Sequence, residues 1–176
     1  MSYFIGYRLK GSDEAAVEAL RREISEKFDV HAALKIPPHF TLFYPFDFSG
    51  PAILEQTLVD VAQGQRPFSI QISSFASFPP RVWFIDVGVG TAQDLRDAVK
   101  LAMSGLGVHE DKVFPEPSHY HITLAYKDLT PESFEQIGKR LSERPVPIRG
   151  LDIDSITLFE KRADSWFAIR DFPFAA

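Results

Sequence analysis

One four-residue pattern occurs twice in this chain, as His39-Phe40-Thr41-Leu42 and, 82 positions further on, as His121-Ile122-Thr123-Leu124. With five His, six Thr and fourteen Leu, a shuffled chain would carry one such pattern in roughly a hundred trials. Two copies therefore point to an internal duplication, and a duplicated unit must be built twice by the same local rules. The flanking runs, HFTLFYPF and HYHITLAY, are rich in β-branched and aromatic residues and are bounded by Pro and polar clusters, which predicts strands. Along a strand, residues i and i+2 share a face, so His39 projects with Thr41 and His121 with Thr123. Phe40 and Leu42, and Ile122 and Leu124, then point the other way. A polar pair toward a cavity and an apolar pair toward a core is what a site on a rigid sheet requires.

The rest of the chain repeats one order of elements. Tyr3 to Leu9 reads as a strand, followed by a helix with Ser12 as its cap and an apolar stripe at Val17, Leu20, Ile24 and Phe28. Pro37-Pro38 cannot continue a helix and delivers the chain extended into the first signature strand. After the turn-rich DFSGP comes a helix ending at Gly64, then a strand from Phe68 to Phe78, with Phe68, Ile70 and Ile72 on one face. Beyond Pro79-Pro80 the order restarts: strand Val82 to Val87, a helix with Leu95, Ala98, Val99, Ala102 and Leu106 at helical spacing, a loop with Pro115 and Pro117, and the second signature strand. Thr130 caps a fourth helix with Pro131 at its first position, Pro145 closes it, and strands from Ile148 to Phe159 and Trp166 to Phe172 finish the chain.

This gives β-α-β-α-β followed by β-α-β-α-β-β, each signature lying on the strand between two helices. A repeat of about 80 residues is too long for a solenoid unit and suits two similar lobes across a pseudo-twofold axis. The expected fold is α+β: antiparallel sheets with outer helices and a cleft between the lobes. All 176 residues are read as one two-lobed domain, with a first repeat over about 1–80, a second over about 81–176, and terminal strands open to exchange between lobes.

Composition narrows the function. The absence of Cys excludes disulfides, thiolate zinc sites and a cysteine nucleophile. The formal charge of −5 argues against a broad grip on long duplex nucleic acid, while leaving room for a small anion in a local basic pocket. MSYFIGYRLK has no signal-peptide pattern and no run is long enough to span a membrane, so a monomer in the cytoplasm, away from membranes, is expected. Sixteen Phe predict a core packed through large rings.

Two imidazoles facing one small volume suit acid–base chemistry near neutral pH, one taking a proton and the other giving one. Thr hydroxyls on the same face can donate to the nonbridging oxygens of a phosphate and steady the charge of the transition state. A phosphodiester fits between the pairs, and proton transfer at both the attacking and the leaving oxygen needs no metal or other cofactor.

On these residues the chain resembles the 2H phosphoesterases, a family named for two H-x-[T/S]-hydrophobic motifs in two lobes, which includes RNA 2′,5′ ligase-like proteins and cyclic nucleotide phosphodiesterases. HFTL at 39–42 and HITL at 121–124 match both motifs, and the resemblance spans nearly the whole chain. It implies that His39 and His121 form the acid–base pair and that Thr41 and Thr123 bind phosphate. It also implies action without metal on 2′,3′-cyclic phosphates, 2′,5′-linked oligonucleotides or RNA ends. Family members differ in substrate. Tyr120 stands where many relatives carry Pro.

Other residues attach less directly to this chemistry. His119 shares a face with His121 and offers half of an H-x-H metal pair, although the simpler reading is an edge His bonded to solvent or a loop carbonyl. Tyr44, Phe43 and Tyr126 follow the signatures and can stack on a base, a contact of about 1 to 3 kcal/mol, or belong to the core. Lys35, Arg81, Lys127, Lys161 and Arg162 lie near strand ends, and Lys127, four residues after Thr123, is the strongest of them as a phosphate contact. His31 and His109 have no partner pattern. Two other classes compete with the enzyme: a nucleotide or RNA-end binding module that kept the cleft and lost turnover, and a His-rich metal enzyme.

Overall fold

A computed structural model describes residues 1–72, 74–110 and 115–176. In chain order the elements are β1 (Ser2–Arg8), α1 (Gly11–Phe28), a 3₁₀ turn (Ala32–Lys35), β2 (His39–Asp47), α2 (Pro51–Gln63), β3 (Phe68–Gln71), β4 (Phe75–Phe78), β5 (Val82–Val89), α3 (Gln93–Gly105), β6 (His119–Tyr126), α4 (Pro131–Ser142), β7 (Gly150–Ile153), β8 (Ser155–Arg162) and β9 (Ser165–Pro173).

Local sequence explains most boundaries. α4 starts in a capping box in which the Thr130 hydroxyl accepts from the Ser133 amide and Ser133 answers the Thr130 amide, with Pro131 in the first turn. α1 departs from expectation at its start. Ser12 lies inside the helix and Lys10 occupies the cap position, where its ammonium, having no acceptor, cannot cap the first-turn amides and instead donates to Asp154 and Ser155. Asp13 and Glu14 supply the negative charge that the first turn favours. The single strand expected over Phe68–Phe78 is two strands, β3 and β4, that join different sheets; Ser73, between them, lies outside the described residues. The single strand expected from Ile148 is likewise two, β7 and β8, divided at Asp154. At both breaks the apolar positions slip by one in the alternation, from Ile72 to Phe75 and from Ile153 to Ile156, a signal that the reading of one continuous strand passed over.

Three antiparallel sheets result. One has the order β2-β1-β8-β9, one β4-β5-β6, and a small one pairs β3 with β7. The arrangement of strands in the two larger sheets recurs, with β5 in the place of β1, β6 in that of β2 and β4 in that of β8. Its helices cross over: α1, which follows β1, packs on β6 and α4, whereas α3, which follows β5, packs on β2 and α2. Each signature strand is thus backed by a helix from the other half of the sequence. Buried Leu20 and Ile24 of α1 and Leu95 and Val99 of α3 form these contacts with the apolar faces of the sheets. Of the Phe residues, Phe4, Phe40, Phe43, Phe46, Phe84, Phe159, Phe172 and Phe174 are buried, whereas Phe78 and Phe167 are exposed.

Candidate active site

β2 and β6 lie beside each other without hydrogen-bonding, and the ring of Phe40 meets that of Tyr120 edge-on at 5.7 Å between their buried faces. Tyr120, the residue standing at the Pro position of many relatives, therefore helps to join the two signature strands. On the opposite faces, His39 and Thr41, and His121 and Thr123, are half-buried while Phe40, Leu42, Ile122 and Leu124 are buried, as the period of two requires.

Both strands then break that period at the same place. Gly6 pairs with Thr41 and Ile5 with Phe43, which leaves Leu42 as the extra residue of a bulge; Phe84 pairs with Thr123 and Trp83 with Ala125, which leaves Leu124 as its counterpart. Each bulge shifts the alternation by one residue. Phe43 and Ala125 go into the core, and Tyr44 and Tyr126 rejoin the half-buried face. Strict alternation from His39 or His121 would turn both tyrosines away. The leucine of the motif is thus what brings a tyrosine, five residues after each histidine, to the cleft side.

The histidines are held alike. His39 Nδ1 donates to the carbonyl of Pro37 at 2.7 Å and His121 Nδ1 to that of His119 at 3.2 Å, each two residues back along the chain. A carbonyl only accepts, so both rings carry their proton on Nδ1 and leave Nε2 unprotonated. Phe4 and Phe159 pack against the His39 ring at 4.9 and 5.2 Å, and Phe84 and Phe78 against that of His121 at 5.0 and 5.5 Å. Burial among these rings pushes the pKa of His39 down to about 3, with the charges of Arg21 and His121 adding to the fall. Burial also lowers that of His121, there opposed by the carboxylate of Asp86, its partner across β5 and β6. Neither Thr41 nor Thr123 spends its hydroxyl on a protein partner among the described residues.

Two buried arginines, absent from the sequence reading, tie the site together. Arg21 of α1 donates through Nε to Thr123 O at 2.8 Å and through Nη1 to Ile36 O at 2.8 Å, joining β6 to the segment that leads into His39. Arg96 of α3 donates to Leu42 O and is paired with Glu110 at 2.7 Å; Glu110 in turn accepts the Tyr44 amide at 3.0 Å. The available signal was a charge on an apolar stripe: Arg21 falls between Leu20 and Ile24, and Arg96 between Leu95 and Val99. Phe78 was also missed. It is 41% exposed, yet it lies edge-on to both His119 and His121.

His119 departs from its expected solvent or carbonyl bond, since Nε2 donates to Asp86 Oδ1 at 2.9 Å across the sheet. Among the described residues no group of three or more His, Asp or Glu side chains converges in a way that could hold a metal. Tyr44 lies 5.7 Å from the Arg96 guanidinium, and Lys127 reaches back over the Tyr126 ring at 5.1 Å. Lys35, Lys127 and Lys161 line one pocket with Tyr126. Arg81 sits in the exposed turn before β5, and Arg162 pairs with Glu160 at 2.7 Å. His31 bonds Ser25 and Asp29 at the end of α1.

The fold and site define a two-lobed α+β protein with one signature histidine on the sheet of each lobe. The family model of the 2'-5' RNA ligase superfamily matches residues 10–165, and the chain belongs to that superfamily, as its resemblance to the 2H phosphoesterases implied. Membership supports a phosphoesterase or ligase-type role. No curated protein matches the chain. Among solved structures it is similar to TT0787 of Thermus thermophilus, with a TM-score of 0.62 and 18% identity over 99% of this chain and 98% of that one. Escherichia coli LigT complexed with NADP+ gives a TM-score of 0.61 at 14% identity over 99% and 97%, and Usb1 of Kluyveromyces marxianus gives 0.50 at 11% over 98% of each. Identities this low carry the shared fold. No helix among the described residues is long and apolar enough to cross a membrane.

Proposed function

We propose that the chain is a metal-independent phosphoesterase that opens 2′,3′-cyclic phosphates or cleaves 2′,5′-linked or RNA-end phosphodiesters, with His39 and His121 as the acid–base pair and Thr41 and Thr123 as phosphate donors. The observation that carries this reading is the matched tethering of the two imidazoles, each donating Nδ1–H to the carbonyl two residues back and leaving Nε2 to exchange a proton. The environments also support a division of labour. His39, pushed to about 3 by burial beside the Arg21 cation, stays neutral and is the base that takes the proton of the attacking water. His121, with Asp86 opposing its loss of charge, is the acid that protonates the leaving oxygen once the anionic substrate favours its charged form. In 2′,3′-cyclic phosphate opening, water oxygen bonds to phosphorus, one ribose–oxygen bond to phosphorus breaks, and the two protons pass through the two rings.

Turnover of 2′,3′-cyclic AMP and of a cyclic-ended oligonucleotide, with and without EDTA, tests the reading. The expected result is activity unchanged by chelation and lowered about 10²- to 10⁴-fold by His39→Ala or His121→Ala. EDTA-sensitive activity restored by zinc or manganese, or histidine variants of near-wild-type rate, would overturn it.

A further inference from the structure

The cleft face of β6 runs past Thr123 and the Leu124 bulge to Tyr126, and there it meets a pocket of about 290 Å³. Tyr126 and Trp166 are its aromatic walls, and Lys35, Lys127 and Lys161 bring three ammonium groups to it against one carboxylate, Asp164. Asp164 is 88% exposed and lies 3.8 Å from Lys35, a contact too solvated to neutralise it. Lys127 and Lys161 have no carboxylate partner among the described residues. In a protein of net charge −5 this is a local excess of positive charge, set between low-dielectric walls that strengthen its field.

The pocket lies near the site, its Trp166 wall linked to His39 through one intervening ring. Trp166 packs edge-on against Phe4 at 4.9 Å, and Phe4 lies 4.9 Å from the His39 ring, so the Trp166 wall is within about 10 Å of that histidine. Lys35 stands four residues before His39 on the same approach segment, and Lys127 follows Tyr126 directly, its backbone turned at φ 66°. The Trp166 wall is thus near enough to His39 for one nucleotide to reach from the histidine to the pocket.

We infer that the Lys35–Lys127–Lys161 pocket is a second anion subsite, so that the preferred substrates are nucleotides or short oligonucleotides carrying a further phosphate beyond the reacting one. The inference rests on the phosphoesterase reading for the placement of the first phosphate. Lysine ammonium groups act as compact point charges, suited to a tetrahedral phosphate, and the acidic remainder of the surface limits the ligand to a short one.

Calorimetric titration with adenosine 2′-monophosphate and adenosine 2′,5′-bisphosphate tests it, in the wild type and in a Lys127→Asn, Lys161→Gln variant. Asn is chosen at 127 because it tolerates the left-handed backbone there. In the wild type the bisphosphate should bind about tenfold tighter at low salt, and that ratio should fall toward one in the variant and in about 0.5 M NaCl. The ratio compares two ligands on one protein, so a general folding defect does not mimic the effect. Equal affinities in the wild type, no binding of the bisphosphate, or a ratio that survives both lysine changes would overturn the subsite. Turnover of 2′,3′-cyclic AMP, measured alongside, separates the two readings. A lysine-dependent ratio without turnover would remove the phosphoesterase reading and keep the subsite, and turnover with a ratio of one would remove the subsite alone.

Discussion

His39 should impose a pH dependence on folding stability that can be isolated by replacing it with asparagine, whose Nδ2 stands where the ring Nδ1 stood and can still donate to the Pro37 carbonyl. Burial lowers the histidine from its ordinary 6.5 to about 3, which corresponds to about 5 kcal/mol of preference for the neutral form. Above pH 6.5 the ring is neutral in both the folded and the unfolded chain, and the stability that it contributes is fully present. As pH falls below 6.5 the unfolded chain takes up a proton that the folded chain refuses until about pH 3, so stability is lost through that window. From pH 6.5 to pH 4 the loss is about 3 kcal/mol for the whole effect, or about half of that when the partial exposure of the ring is allowed to screen it. The asparagine variant has no such dependence. Urea denaturation of the wild type and His39→Asn at intervals from pH 7 to pH 4 should show the stability difference moving against the wild type by about 1.5 to 3 kcal/mol as pH falls. Carboxylate titrations common to both proteins cancel in that difference. Parallel stability curves would show that the aromatic cage does not desolvate the ring and would remove the reason for assigning His39 as the base.

On the proposed reading, Thr41→Val and Thr123→Val would each remove one hydrogen bond to a charged phosphate, and kcat/KM should fall about 10- to 100-fold while the pH profile keeps its shape; a shifted profile would mean that the hydroxyls act on the histidines instead. Asp86→Asn removes the carboxylate that favours protonated His121, so the alkaline limb of kcat/KM should move to lower pH, and an unmoved limb would argue against His121 as the acid. Arg21→Met strands two buried carbonyls, Thr123 O and Ile36 O, and should cost about 2 to 4 kcal/mol by denaturant unfolding. Arg21→Lys should recover only part of this, because one ammonium lacks the planar fork that reaches both carbonyls; full recovery would show that charge alone is what the position supplies.

Much of this protein is legible in its sequence because the relevant information is local and repeated. Two H-x-T-L copies on β-rich runs suffice to put each His with its Thr on one half-buried face and each Leu in the core, since pleating allows nothing else over three residues. Helix α4 is readable from its cap, its proline and its stripe. Tertiary structure decided what depends on other parts of the chain. The bulges at Leu42 and Leu124 are set by pairing with β1 and β5, and they, rather than alternation, bring Tyr44 and Tyr126 to the cleft side. The sequence around Phe68–Phe78 slips in phase between Ile72 and Phe75, which marks a break, but hydrogen-bonding partners, and not side-chain pattern, assign each strand to its sheet. His119 found its carboxylate on β5, and Arg21 and Arg96 found carbonyls on the signature strands of the opposite half, through helices that cross between sheets. A buried charge is tolerable only where specific partners meet it, and, apart from Glu18 one turn before Arg21, those partners lie at least fourteen residues away along the chain. Only the folded chain brings them together.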